Sequence, residues 1–369
     1  MLVDGKNYQS IWLDKIDRGK VMVIDQKRLP FFFEIKELCS VEDIYSAIKD
    51  MTLRGAPLIG AAGAYGIYLA TLEMNSLTNI PDHLANASRY ITSCRPTAVN
   101  LSWAVKYVMD KLKGNFASPS LSEIALDAAN EVCETEKENC RRIGNYGINL
   151  IEDISKDKKG EPVNILTHCN AGWLACIDYG TALSPVYFAH DKGIPVHVWI
   201  DETRPLNQGA RLTTWELGNH GVPYTLITDN TGGFLMQKGK VDIVLVGSDR
   251  TTRKGDSANK IGTYLKALAA LDNKIPFYVA LPSTSIDFSL SDGIREIPVE
   301  ERAPDEVTSV NGLVNGEIGA VRICPEGADA ANWGFDITPA RLITGLITEK
   351  GICRAEEKDI RNMFSNKFK

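Results

Sequence analysis

Three things are lacking in this chain: long apolar runs, paired cysteines and any excess of basic residues, and each lack excludes a class of function. The most membrane-like stretch, residues 56–70, is broken by glycines and falls short of the ~20 residues a spanning helix needs. It reads as a buried helix, so no membrane partner is expected. The eight cysteines (39, 94, 133, 140, 169, 176, 324 and 353) include no Cys-x-x-Cys pair. The only Cys/His adjacency is His168-Cys169, and no second cluster stands at ligand spacing, so no metal is expected. Residues 1–7 lack the charged-then-apolar layout of a signal peptide, which predicts free thiols in a reducing cytoplasm. A net charge of −6, with Lys and Arg scattered, gives a phosphate-rich polymer nothing to grip. No nucleic-acid partner is expected.

What remains is a soluble globular composition, 44% hydrophobic and 24% charged, on a 369-residue chain long enough for two domains. Short β-like runs at Tyr8–Leu13, Val21–Ile24 and Phe31–Ile35 precede a helical region over 41–155. In it, Ser40-x-x-Asp43 resembles a capping box, Pro57 and Pro96 suit helix starts, and 121–151 carries apolar residues at helical spacing. After the Lys156-Asp157-Lys158-Lys159-Gly160 loop, strand-like and helical runs alternate. The strands are Val163–Thr167, Pro195–Ile200, Tyr224–Thr228, Ile243–Val246 and Phe277–Leu281. The helices are Gly180–Lys192, Ala210–His220, Thr231–Gln237 and Ala258–Leu271. This predicts an α/β chain: a mostly helical domain over 1–155, then a mainly parallel sheet covered on both faces over 156–369.

In such a sheet ligands sit at the carboxyl ends of the strands. Residues 242–263 are the most informative stretch: the run Ile243–Val246 stops at Gly247, and Asp249 is presented at the strand end. Gly255-Asp256 then opens an alanine-rich helical pattern, with Asn259 and Lys260 near its start, where backbone N–H groups attract anions. The plainer alternative is that Asp249 and Asp256 cap a turn. Polar residues also follow the other strands: His168-Cys169-Asn170, Asp201 to Arg204, Asp229-Asn230 and Ser283 to Ser285. Five polar strand ends on one edge point to a small-molecule pocket.

Cys169 precedes the small-residue turn Asn170-Ala171-Gly172, read as entering a helix whose dipole would favour the thiolate. Cys176, about two turns on, reads as an inert core thiol. Arg54, Gly55, Ala56 and Pro57 form a cation, a flexible glycine and a helix start, and Arg95-Pro96-Thr97 repeats the design. With Lys260 at a third helix start, these suggest a phosphorylated small substrate. Gln208 and Arg211 are candidates for its hydroxyl groups, or else a helix cap and a solvated face. From these features the reading is an enzyme acting on a phosphorylated metabolite; the reaction type does not follow.

Seven ordered segments carry a resemblance: Arg54–Gly60, Arg95–Leu101, Thr167–Gly172, Asp201–Thr213, Gly247–Arg250, Gly255–Thr263 and Phe335–Pro339. Together they resemble the methylthioribose-1-phosphate isomerase family, whose superfamily includes isomerases of ribose 1,5-bisphosphate and 5-deoxyribose 1-phosphate. It also includes non-catalytic regulatory subunits of a translation-initiation exchange factor. The resemblance implies a Rossmann-like C-terminal domain, a homodimer, and aldose–ketose isomerisation in methionine salvage without metal or cofactor. By motif position Asp249 matches the acid and Cys169 the second catalytic residue. Arg54, Gly55, Ala56, Arg95, Gln208, Asn259 and Lys260 match the substrate-binding positions. The chain departs from the family pattern at Trp173, Cys176-Ile177, Asn207, Thr231 to Gly233 and Thr251 to Lys254. The sugar's 5-substituent is expected near Trp173.

That chemistry fits the residues. An aldose 1-phosphate is an acetal, so its ring opens only when a general acid protonates the ring oxygen. Hydrogen then moves from C2 to C1, with Cys169 either the base at C2 or the group that stabilises a hydride shift; the sequence does not choose. A sugar-phosphate-sensing subunit is the rival reading. Retention of Cys169 and Asp249 together with Asn259-Lys260 favours an enzyme.

Overall fold

The computed structural model of the chain describes residues 1–75, 79–95, 99–299 and 301–368. After a short hairpin of Leu2–Val3 with Lys6–Asn7 comes an antiparallel sheet of β1 (Ile11–Leu13), β2 (Val21–Ile24) and β3 (Ile35–Leu38). The strand expected at Phe31–Ile35 lies later than anticipated. Phe31 and Phe32 donate backbone hydrogen bonds to Arg28 in a turn, so pairing starts only at Ile35, opposite Ile24. Helices α1 (Val41–Lys49), α2 (Ala56–Leu72), α3 (Ile80–Ser93), α4 (Val99–Leu112) and α5 (Leu121–Asp157) follow. The Ser40 hydroxyl accepts from the Asp43 N–H at 3.0 Å, capping α1, and the Asp43 carboxylate accepts from Cys39 N at 2.9 Å. Pro96 and Thr97, expected to open α4, lie outside the described residues.

Helix α2 is apolar all round because it is surrounded: every residue from Ala56 to Thr71 is buried, chiefly against α4 and α5. Among the described residues no helix is long and apolar enough to cross a membrane. Helix α5 joins two cores. Ala125, Ala129 and Val132 pack with α2 and α4, whereas Ile143, Ile148 and Ile151 pack beneath the large sheet.

That sheet contains β4 (Val163–Thr167), β5 (Val196–Asp201), β6 (Tyr224–Ile227) and β7 (Ile243–Val246). A hairpin of β8 (Arg250–Thr252) and β9 (Ser257–Lys260) intervenes before α9 (Thr263–Asp272) and β10 (Phe277–Ala280). A second hairpin, β11 (Ser309–Val314) and β12 (Glu317–Arg322), precedes β13 (Phe335–Thr338), β14 (Gly345–Thr348) and β15 (Gly351–Cys353). The seven strands run in the order β15-β14-β10-β7-β4-β5-β6, and all are parallel except β15. Strands buried on both faces need apolar residues throughout, and alternate residues serve opposite cores. Ile243 and Leu245 pack on the side of α5, with α6 (Ser184–Asp191) and α7 (Thr214–His220); Val244 and Val246 face α8 (Thr231–Gln237) and α9.

Two helix expectations are corrected. The helix expected over Ala258–Leu271 is not continuous: residues 257–260 form the buried strand β9 and α9 begins only at Thr263. Strand β9 pairs with β13, Asn259 opposite Asp336 and Lys260 opposite Phe335, a partner too distant in sequence for any local pattern to reveal. Asp256 opens no helix. Its carboxylate accepts from the N–H groups of Gly293 and Ala340, tying the hairpin to later segments. The helix expected over Gly180–Lys192 starts at Ser184, where Pro185 suits the first turn.

Candidate active site

At the carboxyl edge of the sheet, roofed by the start of α2, lies a small cavity lined largely by polar and charged side chains. Its lining includes the nine residues at the catalytic and substrate-binding motif positions: Arg54, Gly55, Ala56, Arg95, Cys169, Gln208, Asp249, Asn259 and Lys260. Of the five polar strand ends, those after β4 and β7 reach the cavity with side chains, and Pro282 brings the end of β10. The others have structural duties. The Asp229 carboxylate accepts from the N–H groups of Thr203 and Arg204 at 2.7 and 2.8 Å. Thr284 and Ser285 donate to Glu136 and Asn100, bonding the sheet edge to α5 and α4.

Cys169 is held by its backbone. Its φ is +65°, its N–H donates to Thr203 Oγ1 at 2.9 Å, and its carbonyl accepts from Thr213 Oγ1 at 2.7 Å. Left-handed backbone at a non-glycine residue is strained, and here two threonine hydroxyls enforce it. The helix dipole expected behind this thiol is missing: the turn leads into a single 3-10 turn, Trp173–Ala175, and α6 begins only at Ser184. Cys176 lines the cavity wall and also packs against Cys140, so it belongs to the site's boundary as well as the core. Trp173 is fully buried, packs against Trp215 and does not line the cavity, which removes it as the seat of the 5-substituent.

The cations are buried. Arg54 donates to Asn170 Oδ1 at 2.5 Å and to the Asn170 carbonyl at 2.8 Å. Gly55 has φ +101°, and a Cβ there would sit 2.3 Å from the Ala175 carbonyl oxygen, so only glycine lets α2 start this close to the β4 loop. Lys260 lies on a strand rather than at a helix start; its ammonium stands 4.6 Å from the centre of the Phe335 ring. Burial pulls its pKa down, while Cys169 and Asp249 oppose that by favouring the charged form. Gln208 is buried, and its Oε1 accepts no hydrogen bond among the described residues. Arg211 does not serve the cavity: its guanidinium donates to the carbonyls of Gln26, Lys27 and Leu29, latching the β2–β3 turn to the sheet.

Beneath the floor lies an ion cluster without a clear local signature in the sequence. His168 Nδ1 is 2.9 Å from Asp201 Oδ2, its Nε2 is 2.8 Å from the Ile261 carbonyl, and Lys266 Nζ is 3.2 Å from the same Asp201 oxygen. His168, Asp201 and Asp229 come together like metal ligands, but Lys266 already faces Asp201 and Asp229 is engaged by backbone. Glu216, also missed, is buried on α7 behind the Cys169 turn. The one available hint was Gly172, which leaves it room.

Residues 52–355 match the Initiation factor 2 subunit family. The chain belongs to that family. It is 56% identical over 369 residues, the whole of both chains, to the methylthioribose-1-phosphate isomerase of Desulfatibacillum aliphaticivorans. The crystal structure of 5-methylthioribose 1-phosphate isomerase from Pyrococcus horikoshii matches with a TM-score of 0.84 and 36% identity, covering 98% of this chain and 97% of that one. The structure of the translation initiation factor eIF-2B subunit delta from A. fulgidus matches with a TM-score of 0.77 and 37% identity, covering 97% and 100%. The α/β fold is thus the fold of this family.

Proposed function

We propose that the chain converts 5-methylthioribose 1-phosphate to 5-methylthioribulose 1-phosphate, an aldose–ketose isomerisation of methionine salvage. The observation that carries this reading is the convergence of a thiol, Cys169, and a carboxyl, Asp249, on one cavity walled by the buried cations Arg54, Arg95 and Lys260. Full-length similarity to a named isomerase supports it. In this reading Asp249 protonates the ring oxygen and opens the acetal. Cys169 then serves the transfer of hydrogen from C2 to C1, as base or as stabiliser of a hydride shift. The three cations and the backbone N–H groups of Gly55 and Ala56, which have no partner within the first turn of α2, hold the phosphate. Gln208 and Asn259 take sugar hydroxyls. The scheme calls on no metal and no cofactor, and the enzyme works as a cytoplasmic homodimer.

The test is ketose formation from 5-methylthioribose 1-phosphate, 5-deoxyribose 1-phosphate and ribose 1,5-bisphosphate. The highest kcat/KM is expected on the methylthio sugar. Preference for another reassigns the substrate, and turnover of none points to a sugar-phosphate-sensing subunit.

A further inference from the structure

We infer that Glu216 is a positioning residue for the phosphate site, acting on Arg54 through the side-chain amide of Asn170; this rests on the role given to Arg54 above. The Glu216 carboxylate is fully buried and accepts four hydrogen bonds. They come from Asn170 Nδ2 at 3.0 Å, Trp173 N at 3.1 Å, Leu174 N at 2.8 Å and the Tyr187 hydroxyl at 2.8 Å. Three of these fasten residues 170–174, the turn that follows Cys169.

Asn170 links Glu216 to Arg54 with a fixed polarity. A guanidinium only donates and a carboxylate only accepts, so Oδ1 must face Arg54 and Nδ2 must face Glu216. The amide dipole then lies between a cation and an anion, each strengthening the bond to the other. The Asn170 carbonyl takes a second N–H of the planar fork at 2.8 Å, which fixes the guanidinium plane. Arg54 and Asn170 both line the cavity, so the guanidinium's remaining edge is set relative to a bound anion by Asn170, which is held in turn by Glu216 outside the lining.

The surroundings are shaped for this carboxylate. A Cβ at position 172 would lie 1.6 Å from Glu216 Oε2, so a side chain there and the carboxylate exclude one another. Burial pushes the Glu216 carboxyl up to about 7, while Asn170, Leu174, Tyr187 and the Arg54 charge oppose that shift. Such a costly buried acid at the back of the Arg54 clamp is accounted for by what it holds in place.

A double-mutant cycle tests the inference. Glu216→Gln should raise KM for the sugar 1-phosphate, and the inhibition constant of inorganic phosphate, by about tenfold. Its kcat should stay within about threefold. In an Arg54→Ala background the same substitution should add nothing to KM. If Glu216→Gln does not fold, Asn170→Ala takes its place in the cycle, since it breaks the relay but leaves Glu216 three donors. An unchanged KM in the folded variant, or the same factor in both backgrounds, overturns the positioning role while leaving Arg54 a phosphate ligand. If Arg54→Ala itself leaves KM unaltered, the phosphate role and this inference fall together.

Discussion

A thiol and a carboxyl carry the proposed chemistry, and the backbone explains why each reaches the cavity. Asp249 follows the abrupt end of β7, its N–H bonded to the Ala258 carbonyl of the hairpin at 2.9 Å. Replacing it with Asn should keep the fold, as read by circular dichroism, and lower kcat by about 10²–10⁴-fold. Turnover near the parent rate would remove it as the acid. Cys169 and Cys176 line the cavity, whereas the buried thiols of Cys133 and Cys140 do not. Desolvation pushes the Cys133 thiol up to about 12, and contact with Cys176 together with burial pushes Cys140 up as well. Iodoacetamide should inactivate by labelling Cys169, with substrate protecting it; mapping of the inactivating label to Cys176, Cys133 or Cys140 would contradict the assignment. For the phosphate, Lys260→Ala should raise KM by roughly ten- to a hundredfold, the effect of a lost charge-assisted hydrogen bond. A KM unchanged in steady-state kinetics would place the anion elsewhere.

Among the elements, the hairpin of β8 and β9 decides the most. It turns Asn259 and Lys260 from expected helix residues into strand residues, and pairing with β13 brings Phe335 beneath the Lys260 ammonium. Asp336, next in β13, accepts from the N–H groups of Gly262 and Tyr264 and so secures the start of α9. One strand thereby supports both the cation and the helix after it. Elsewhere the elements are joined by single side chains, Arg211 being the clearest. Arg211→Ala strips a charged donor from three backbone carbonyls and should cost about 2 kcal/mol of stability in denaturant unfolding. Its KM should stay near the parent value, because the guanidinium points to the β2–β3 turn. A large rise in KM with unchanged stability would return Arg211 to the site.

On the scale of the whole molecule, the helical layer and the sheet meet over buried acids. Glu136, on α5, is bonded to Thr284 and Asn139, and its Oε2 has no hydrogen-bond partner among the described residues. Desolvation pushes its carboxyl up to about 7. A carboxyl with a raised folded pKa binds its proton more tightly when folded, so unfolding releases that proton over the interval between the two values. This contribution to stability is therefore greatest below about pH 4.5 and is lost as pH rises toward about 7. Chemical unfolding of Glu136→Gln at pH 5 and pH 8 should show a smaller difference between the two conditions than the parent. An equal difference would mean that Glu136 does not titrate in this range.

Local patterning sufficed wherever structure depends on near neighbours. The runs Val163–Thr167 and Ile243–Val246 are strands at the expected residues because strands buried on both faces are apolar without interruption. The Ser40 cap and the buried helix α2 were legible for the same local reason. Nine of the cavity-lining residues stand at the motif positions of the resemblance: Cys169 and Asp249 follow strands whose carboxyl ends share one edge, whereas Arg54, Gly55 and Ala56 come from the start of α2. Tertiary structure decided the rest. Strand β9 exists because β13 lies beside it, and Trp173 is core because Trp215 covers it. His168, Asp201 and Lys266 form a cluster only once β4, β5 and α9 are assembled. Glu216 is the sharpest case: nothing on α7 marks it, and its importance comes from four donors brought to it by other parts of the chain. A sequence displays periodicity and residue type, whereas a buried charge is defined by partners that only folding brings within hydrogen-bond reach.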